Sequence, residues 1–361
     1  MNNPITRVGI LGAASYAAGE LMKLLYNHPN VEITVLVSET FKDEEVLKHH
    51  AFLRDVCGRE FDHIPEDLCL DGVMDRCDVI FMSKPHKKFA NGYMKQLRSA
   101  DKKVIDLSGD YRLKNADLYP EYYDFSHEDP ELLQKFVYGL PEIRREEIAD
   151  AQFVANPGCY PTSAVLGLAP ALEVGLVKNE GIVIDSISGA SGAGKSPRAD
   201  LMVIDLGDNI RTYGTGTHQH TPEIEQELSS ISGSTVQVLF SPHVGGFKTG
   251  LSSTLYCPLT RKGITKKEVV DLYRTRYDDE PFVRVYEDRS PEIRDVVGTN
   301  FCDIGFIVDS RTNTLVVIST IDNTIKGAGG QAVQNFNLMC GYPEYTALPY
   351  EGVIKKRLVT Y

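Results

Sequence analysis

Four short apolar runs stand out in the first hundred or so residues: Ile5–Leu11, Val31–Val37, Val79–Met82 and Val104–Leu107. Each is rich in Val and Ile and apolar at nearly every position, and helical stretches separate them. Strands buried on both faces read this way, so the pattern predicts a parallel sheet covered by helices. Beyond about residue 155 the texture changes. Ile182–Ile187, Val236–Phe240, Leu251–Tyr256, Phe301–Val308 and Leu315–Ser319 follow one another with fewer helices between them. That is the pattern of a mixed α+β domain, and the boundary falls near Asn156. From Gly327 to Cys340 the apolar residues Ala328, Ala332, Val333, Phe336 and Met339 keep helical spacing.

The length of 361 residues suits two domains of roughly 100–200 residues each. Lys and Arg number 38 against 50 Asp and Glu, a net charge of −12. An acidic surface speaks against nucleic acid or an anionic membrane as partner, while a local basic pocket for a small phosphorylated molecule stays open. No apolar run approaches the ~18 residues of a membrane span. A strand begins within the first ten residues, which leaves no room for a signal peptide. The seven cysteines, at 57, 69, 77, 159, 257, 302 and 340, form no CxxC pair and no metal-finger spacing. Reduced thiols in a cytoplasmic protein, with no metal site, are expected.

The segment Gly9-Ile-Leu-Gly12-Ala-Ala-Ser-Tyr-Ala-Ala-Gly19 follows the first strand and opens a helix carrying Leu21, Leu24 and Leu25. Such a turn lets backbone N–H groups and a helix start meet a pyrophosphate, as in a Rossmann-type βαβ unit. The spacing departs from GxGxxG, so its place in the fold carries the reading. Glu39 lies 20 residues beyond Gly19. A carboxylate there would bind ribose hydroxyls and favour NAD; Ser38 and Lys42 would instead suit a 2′-phosphate. Glu39 also reads as a solvated loop charge, and the choice stays open.

Asn156-Pro-Gly-Cys159-Tyr-Pro-Thr leads into a helix apolar enough to be buried. Pro161 fits a first helical turn, so Cys159 sits at a helix start, where the dipole favours the thiolate. A thiolate there is a nucleophile for an acyl group. The bland reading, a small buried thiol, fits the other six cysteines. In His218-Gln-His220-Thr-Pro-Glu223 two histidines precede another helix start, with Thr221 as N-cap and Pro222 at the first position. An imidazole can move a proton at a thiol site and a nearby carboxylate can orient it. Glu223 reads equally well as a first-turn carboxylate on the helix dipole. HxH can bind metal, but no third ligand is spaced for it. His243 has no assigned role.

Gly189-Ala-Ser-Gly-Ala-Gly194-Lys195-Ser196 matches the P-loop pattern GxxxxGK[ST]. Pro197 stands where the P-loop helix should run, and the loop lies in the α+β half. The match reads as accidental. The glycines better suit close approach of backbone to a nicotinamide or phosphate.

A dinucleotide turn, a helix-capped cysteine and a downstream histidine together suggest reduction of an activated acyl group through a thioester. A longer series of motifs narrows this further: Val104-Ile-Asp-Leu-Ser-Gly-Asp-Tyr-Arg-Leu113, Val137-Tyr-Gly-Leu-Pro-Glu142, Ala155 to Thr162, Ser188 to Gly194, His220 to Leu228, Asn300-Phe-Cys-Asp-Ile-Gly305 and Ile321 to Asn335. In that order the chain resembles the N-acetyl-gamma-glutamyl-phosphate reductases, arginine-pathway members of the semialdehyde dehydrogenase superfamily. The resemblance implies Cys159 as nucleophile and His220 with Glu223 as acid–base pair. It implies NADP(H) held by Gly9, Gly12, Ala13, Ser15 and Tyr16, by Ser38, by the loop around Pro85 and His86, and by Ser188, Gly189 and Gly192. It divides the chain into a dinucleotide-binding domain (1–155), a catalytic and oligomerisation α+β domain (156–326) and a C-terminal segment (327–361). The helix of that segment returns to the first domain and brings Asn335 near the nicotinamide. A homodimer or homotetramer is implied as well.

Some positions depart from the family pattern. Ser15 and Ala18 replace glycines, Glu39 stands where an arginine is common, and Gln219 separates the two histidines in place of arginine. Gly246-Phe-Lys-Thr-Gly250 replaces Pro-Met-x-Arg-Gly, which leaves an N-succinyl substrate as an alternative to N-acetyl. An ordinary alcohol dehydrogenase is a further rival, distinguished by its indifference to inorganic phosphate.

Overall fold

The computed structural model describes residues 4–38, 41, 44–53, 62, 70–83, 92–193 and 206–349. The chain forms two compact units, one of residues up to 157 together with 328–348, the other centred on 158–327.

The first unit is built on six parallel strands: β1 (Thr6–Leu11), β2 (Val31–Val37), β3 (Val79–Met82), β4 (Lys103–Asp106), β5 (Phe136–Tyr138) and β6 (Phe153–Ala155), in the order β2-β1-β3-β4-β6-β5. Every residue of β3 is buried, as expected of a strand with cover on both faces. β5 and β6 escape the hydrophobic pattern because three residues are too few to show a period. Tyr111 stacks on Phe136 at 4.1 Å, so this edge of the sheet is packed with aromatic rings. The first helix, Tyr16–Tyr26, starts at Ser15, whose hydroxyl accepts the Ala18 amide at 3.0 Å. It buries Leu21, Met22, Leu24 and Leu25. The late helix, Gly330–Met339, packs on it and on the helix Pro141–Asp150. The chain thus ends its regular structure back in the first unit.

The second unit carries a mixed sheet of β7 (Ile182–Gly189), β8 (Ile210–Thr212), β9 (Val238–Gly245), β10 (Leu251–Pro258), β11 (Val283–Tyr286), β12 (Cys302–Asp309) and β13 (Thr314–Ile321), ordered β11-β12-β13-β10-β7-β9-β8. β9 begins later and runs further than its apolar run suggests. Pro242 lies within the strand, its carbonyl accepting the Tyr213 amide at 3.1 Å. The helices Cys159–Glu173, Thr221–Ser232 and Lys266–Arg276 complete this unit, the first of them packing on β10 and β13.

Pro170 lies inside the Cys159 helix. A proline there has no N–H for the carbonyl four residues back, which is that of Leu166. Tyr277 Oη donates to that carbonyl at 2.6 Å, and Tyr273 Oη donates to the neighbouring Gly167 carbonyl at 2.7 Å. The buried helix is thereby satisfied from outside its own ladder.

On the face of the sheet that points away from these helices, strand register aligns Leu239, Val183, Tyr256, Val316 and Ile307 in one row across five strands. Leu239, Tyr256 and Ile307 are exposed. Among the described residues no helix is long and apolar enough to cross a membrane.

Candidate active site

Cys159 is the first residue of its helix, preceded by Gly158 in extended conformation (φ −69°, ψ 155°). The turn is held from both sides. Thr162 Oγ1 donates to the Gly158 carbonyl at 2.9 Å, and the Gly158 amide donates to Glu223 Oε1 at 2.8 Å. Glu223 is fully buried, so a carboxylate from one helix start anchors the residue that precedes the thiol on the other. Cys159 itself is half-buried, whereas Cys77, Cys257 and Cys302 are buried. Burial pushes the Cys77 and Cys257 thiols up, and that of Cys340 up to about 11. These are inert thiols at neutral pH.

Gly327 escaped the sequence reading. A Cβ placed on it would lie 2.7 Å from Cys159 Cβ, so only glycine lets this backbone pass the nucleophile. Asp322 shapes the approach, its carbonyl accepting the Gly327 amide at 2.9 Å and its carboxylate accepting the Thr324 and Ile325 amides.

Helix Thr221–Ser232 starts one residue earlier than expected, with His220 rather than Thr221 at the cap. The His218 carbonyl takes the Thr221 amide at 2.9 Å and the His220 carbonyl takes the Ile224 amide at 3.0 Å, which brings His220 into the first turn. His220 is buried, with its ring 5.9 Å from that of Tyr160, the residue after the thiol. Burial raises the Tyr160 phenol, which stays protonated and donates to the His243 carbonyl at 3.0 Å. His243 Nδ1 lies 3.0 Å from Asp185 Oδ1.

The described start of the loop after β7, residues 190–193, does not behave as a phosphate cradle. The amides of Gly189, Ala190 and Ser191 donate to the carbonyls of Gly250, Phe247 and Lys248, at 2.9, 2.9 and 3.1 Å. A Cβ on Gly189 would lie 2.6 Å from the Lys248 carbonyl oxygen, so that glycine serves a close backbone approach. Lys248 acts here through its main chain. Asn323 braces the loop, donating to Ser191 Oγ at 3.0 Å and accepting the Gly250 amide at 2.7 Å. Ser188 is buried, and Gly192 lies over it, an added Cβ falling 3.2 Å from Ser188 Oγ.

In the first unit the glycine-rich turn occupies the switch point of the sheet, where the chain leaves β1 for β2 on one side and β3 lies on the other. Gly12 has φ 88°, a conformation that suits glycine. The amides of Gly12 and Ala13 both donate to the Val37 carbonyl, and His50 Nε2 donates to the Ala13 carbonyl at 2.8 Å. Ser15 Oγ lies 2.8 Å from Ser83 Oγ, bridging the ends of β1 and β3. Tyr16 is exposed and Ser38 buried, with Ser38 Oγ accepting the Phe41 amide at 3.2 Å. Gly9 has a packing role, since a Cβ there would lie 2.6 Å from Cys77 Sγ. The positive-φ glycine, the helix start and the switch point together fit the pyrophosphate of a dinucleotide. Glu39, Lys42, Pro85, His86 and 194–197, like Cys57 and Cys69, lie outside the described residues.

Asn335 is fully buried, its Nδ2 donating to the Gly139 carbonyl at 2.8 Å and to Asn156 Oδ1 at 3.0 Å. Its Oδ1 has no hydrogen-bond partner among the described residues. Arg112, in the Asp106–Leu113 motif, donates from Nε to the Asn156 carbonyl at 2.8 Å and from Nη2 to the Leu107 carbonyl at 3.1 Å. Asp106 is fully buried and accepts the amide and hydroxyl of Ser108; burial and the neighbouring Asp110 push its carboxyl up to about 7.

Two family models match the chain: "Semialdehyde dehydrogenase, NAD binding domain" over residues 7–151 and "Semialdehyde dehydrogenase, dimerisation domain" over 159–323. An N-acetyl-gamma-glutamyl-phosphate reductase of a Geobacter species is 44% identical over 344 residues, 95% of this chain and 97% of that protein. The enzyme of the same name from Moorella thermoacetica is 44% identical over 96% of this chain and 99% of its own. Among solved structures, aspartate semialdehyde dehydrogenase II from Vibrio cholerae has a TM-score of 0.69 at 16% identity, covering 93% of this chain and 98% of that one. The aspartate semialdehyde dehydrogenase with NADP from Candida albicans has a TM-score of 0.66 at 16% identity, with the same coverage of each chain. These two likenesses are of fold. With a dinucleotide turn at the switch point of one unit, a cysteine and a histidine at two tied helix starts in the other, and relatives this similar along nearly their whole length, the chain belongs to the N-acetyl-gamma-glutamyl-phosphate reductase family of semialdehyde dehydrogenases.

Proposed function

We propose that the chain reduces N-acetyl-γ-glutamyl phosphate to N-acetylglutamate semialdehyde with release of phosphate, the reductive step of arginine biosynthesis, through a thioester on Cys159 and with NADP(H) as coenzyme. The observation that carries the residue assignment is the bond from the Gly158 amide to Glu223 Oε1. It ties the start of the cysteine helix to the start of the helix that carries His220.

The Cys159 thiolate, favoured by the start of a helix of 15 residues, attacks the γ-carbonyl carbon. A C–S bond forms, the C–O bond to phosphate breaks, and phosphate leaves. The reduced nicotinamide, when bound, supplies the hydride that takes the thioester to the thiohemiacetal level. His220 gives a proton to the carbonyl-derived oxygen and recovers it as the C–S bond breaks, freeing semialdehyde and thiolate. Glu223 holds the geometry of both helix starts. The helix start at Ser15 and Tyr16 would face the pyrophosphate, Gly12 and Ala13, whose amides donate to the Val37 carbonyl, would give the close backbone approach, and Ser38 would lie on the ribose side. Gly9, Ser188, Gly189, Gly192 and Asn335 are assigned to the coenzyme on the family resemblance.

Acetyl is the proposed N-substituent, in keeping with the names of the relatives. The NTPase alternative is not favoured, since in the described part of that loop the amides of Gly189 to Ser191 are donated within the protein. The apolar row from Leu239 to Ile307 supports a homodimer or homotetramer built on the sheet face, and a cytoplasmic location suits the chemistry.

The test is the reaction run backwards with N-acetylglutamate semialdehyde and NADP⁺, with and without inorganic phosphate. Turnover that depends on phosphate, prefers the acetyl over the succinyl substrate and disappears in Cys159→Ser with coenzyme binding retained is the expected result. Turnover indifferent to phosphate would leave an alcohol-type dehydrogenase in its place.

A further inference from the structure

His218 is one of the groups that the mechanism above does not use. It lies two residues before His220, and its Nδ1 is 3.0 Å from the His220 main-chain nitrogen. A backbone N–H can only donate, so Nδ1 must offer a lone pair, and the neutral ring carries its proton on Nε2. The surroundings favour the same state. Three aromatic rings meet His218 edge-on: Tyr213 at 5.4 Å, Phe240 at 5.4 Å and Tyr160 at 5.8 Å. Burial among them draws its pKa down to about 4. The loop that delivers it is built for that seat, since Gly214 turns at φ 60° directly against the His218 ring.

The His218 and His220 rings are 4.8 Å apart at 63°. A proton on His218 Nδ1 would abolish its acceptor and set two cationic rings side by side whenever His220 is charged. Among the described residues the titratable rings packed on His218 are those of Tyr160, Tyr213 and His220, and none of them is a carboxylate that would offset such a charge.

We propose that His218 is a positioning residue for His220, a neutral imidazole that accepts the His220 amide and so fixes where the acid–base ring stands at the helix start. The proposal rests on the assignment of His220 made above. It explains why the first turn of this helix begins at His220, whose amide is already engaged by a side chain. It also separates the two histidines of the HxH pair by role: one moves protons and the other holds it in place.

The experiment compares His218→Asn, His218→Phe and His220→Asn in the full-length protein. The readouts are the phosphate-dependent assay between pH 5.5 and 9 and NMR of ¹⁵N-histidine-labelled wild-type protein. Asparagine offers Oδ1 near the place of Nδ1 and stays neutral, so His218→Asn should keep kcat within about threefold of wild type. Phenylalanine keeps the ring without the acceptor. With misplacement of a catalytic group by about 1 Å worth up to ~100-fold, His218→Phe should lower kcat about 10- to 100-fold, with KM within about twofold. It should also move the acidic limb of the pH profile, which the asparagine variant restores. NMR should show His218 as the neutral Nε2–H form across the assay range. A His218→Phe variant with wild-type kcat and pH profile, or a His218 that titrates at the ordinary histidine value, overturns the proposal. Wild-type turnover in His220→Asn would instead remove the functional assignment, and the two failures are therefore told apart. Should His218→Phe not fold, the asparagine variant and the NMR of the wild type still decide.

Discussion

Glu223 Oε1 accepts the backbone amide of Gly158 at 2.8 Å, and this bond between residues 65 apart in sequence joins two helix starts. The carboxylate is fully buried and its acceptor function is directed at main chain, one residue before the nucleophile. In the sequence Glu223 reads equally well as a carboxylate that orients an imidazole and as a first-turn carboxylate on the helix dipole; in the fold it anchors the cysteine turn.

Glu223→Gln and Glu223→Ala should therefore behave differently. Glutamine retains an oxygen for the Gly158 amide, and its folded stability should stay near wild type. Alanine leaves that buried amide without a partner, which costs roughly 1–3 kcal/mol. Thermal unfolding of both variants beside their kcat checks this. Equal melting temperatures would mean that the amide finds another acceptor and that the anchoring role is absent.

Gly327→Ala should damage the site without touching the coenzyme turn. The new Cβ would meet Cys159 Cβ at 2.7 Å, and both partners are held close to main chain, so relief requires backbone movement. Overpacking of this kind costs roughly 1–3 kcal/mol. The expected outcome is a sharp fall in kcat and in the rate of Cys159 alkylation by iodoacetamide, with coenzyme affinity retained. An alanine variant with normal alkylation would show that the close approach is dispensable.

Pro170 supplies a third case. Tyr277→Phe removes the hydroxyl that satisfies the Leu166 carbonyl, and Tyr273→Phe the one on the Gly167 carbonyl. Each leaves a buried acceptor short of its donor, at a cost of roughly 1–3 kcal/mol. The Tyr277 variant should lose more, because a proline has removed any helical donor for Leu166. Denaturant unfolding of the two single variants measures the difference, and a larger loss in Tyr273→Phe would contradict the account.

Much of this was legible beforehand, and for identifiable reasons. Val79–Met82 announces itself because burial on both faces leaves no polar position in the run, and Val31–Val37 because its apolar majority outweighs Glu32 and Thr34, which stand at positions that are not buried. Cys159 stands out through its flanking glycine and prolines, which mark a helix start in any context. What escaped were relationships made by distant chain. Gly327 matters only because Cys159 packs against it, and Asn323 only because Gly250 and Ser191 come to it. The segment from Gly189 imitates a P-loop in sequence, yet the amides of Gly189, Ala190 and Ser191 are consumed by carbonyls of residues 247–250. A one-dimensional motif cannot show that.

The outward row of the second sheet predicts an association defect. Tyr256 faces Val183 on one side and Val316 on the other, with Leu239 and Ile307 completing the row. A charge at its centre would oppose burial of the whole strip. Tyr256→Asp should shift the protein to smaller species in light scattering coupled to size exclusion, with the circular dichroism of the fold retained. An unchanged mass would move the interface elsewhere.

Asp106 contributes a pH dependence to the stability of the first unit. It is fully buried, and burial together with Asp110 raises its carboxyl from 3.8 to about 7 in the folded protein. The folded state thus holds a proton at this site over a range in which the unfolded chain has released it. Stability contributed here is present below about pH 4 and is lost as pH rises through about 7. Asp106→Asn mimics the protonated form and keeps an oxygen for the Ser108 amide. The variant should match wild type near pH 4 and exceed it in stability at pH 8. Denaturant unfolding at a series of pH values reads this directly. The sign is the decisive feature: a wild type that gains stability relative to Asp106→Asn as pH rises would mean that Arg112 and the Ser108 donors outweigh burial, leaving Asp106 a paired carboxylate.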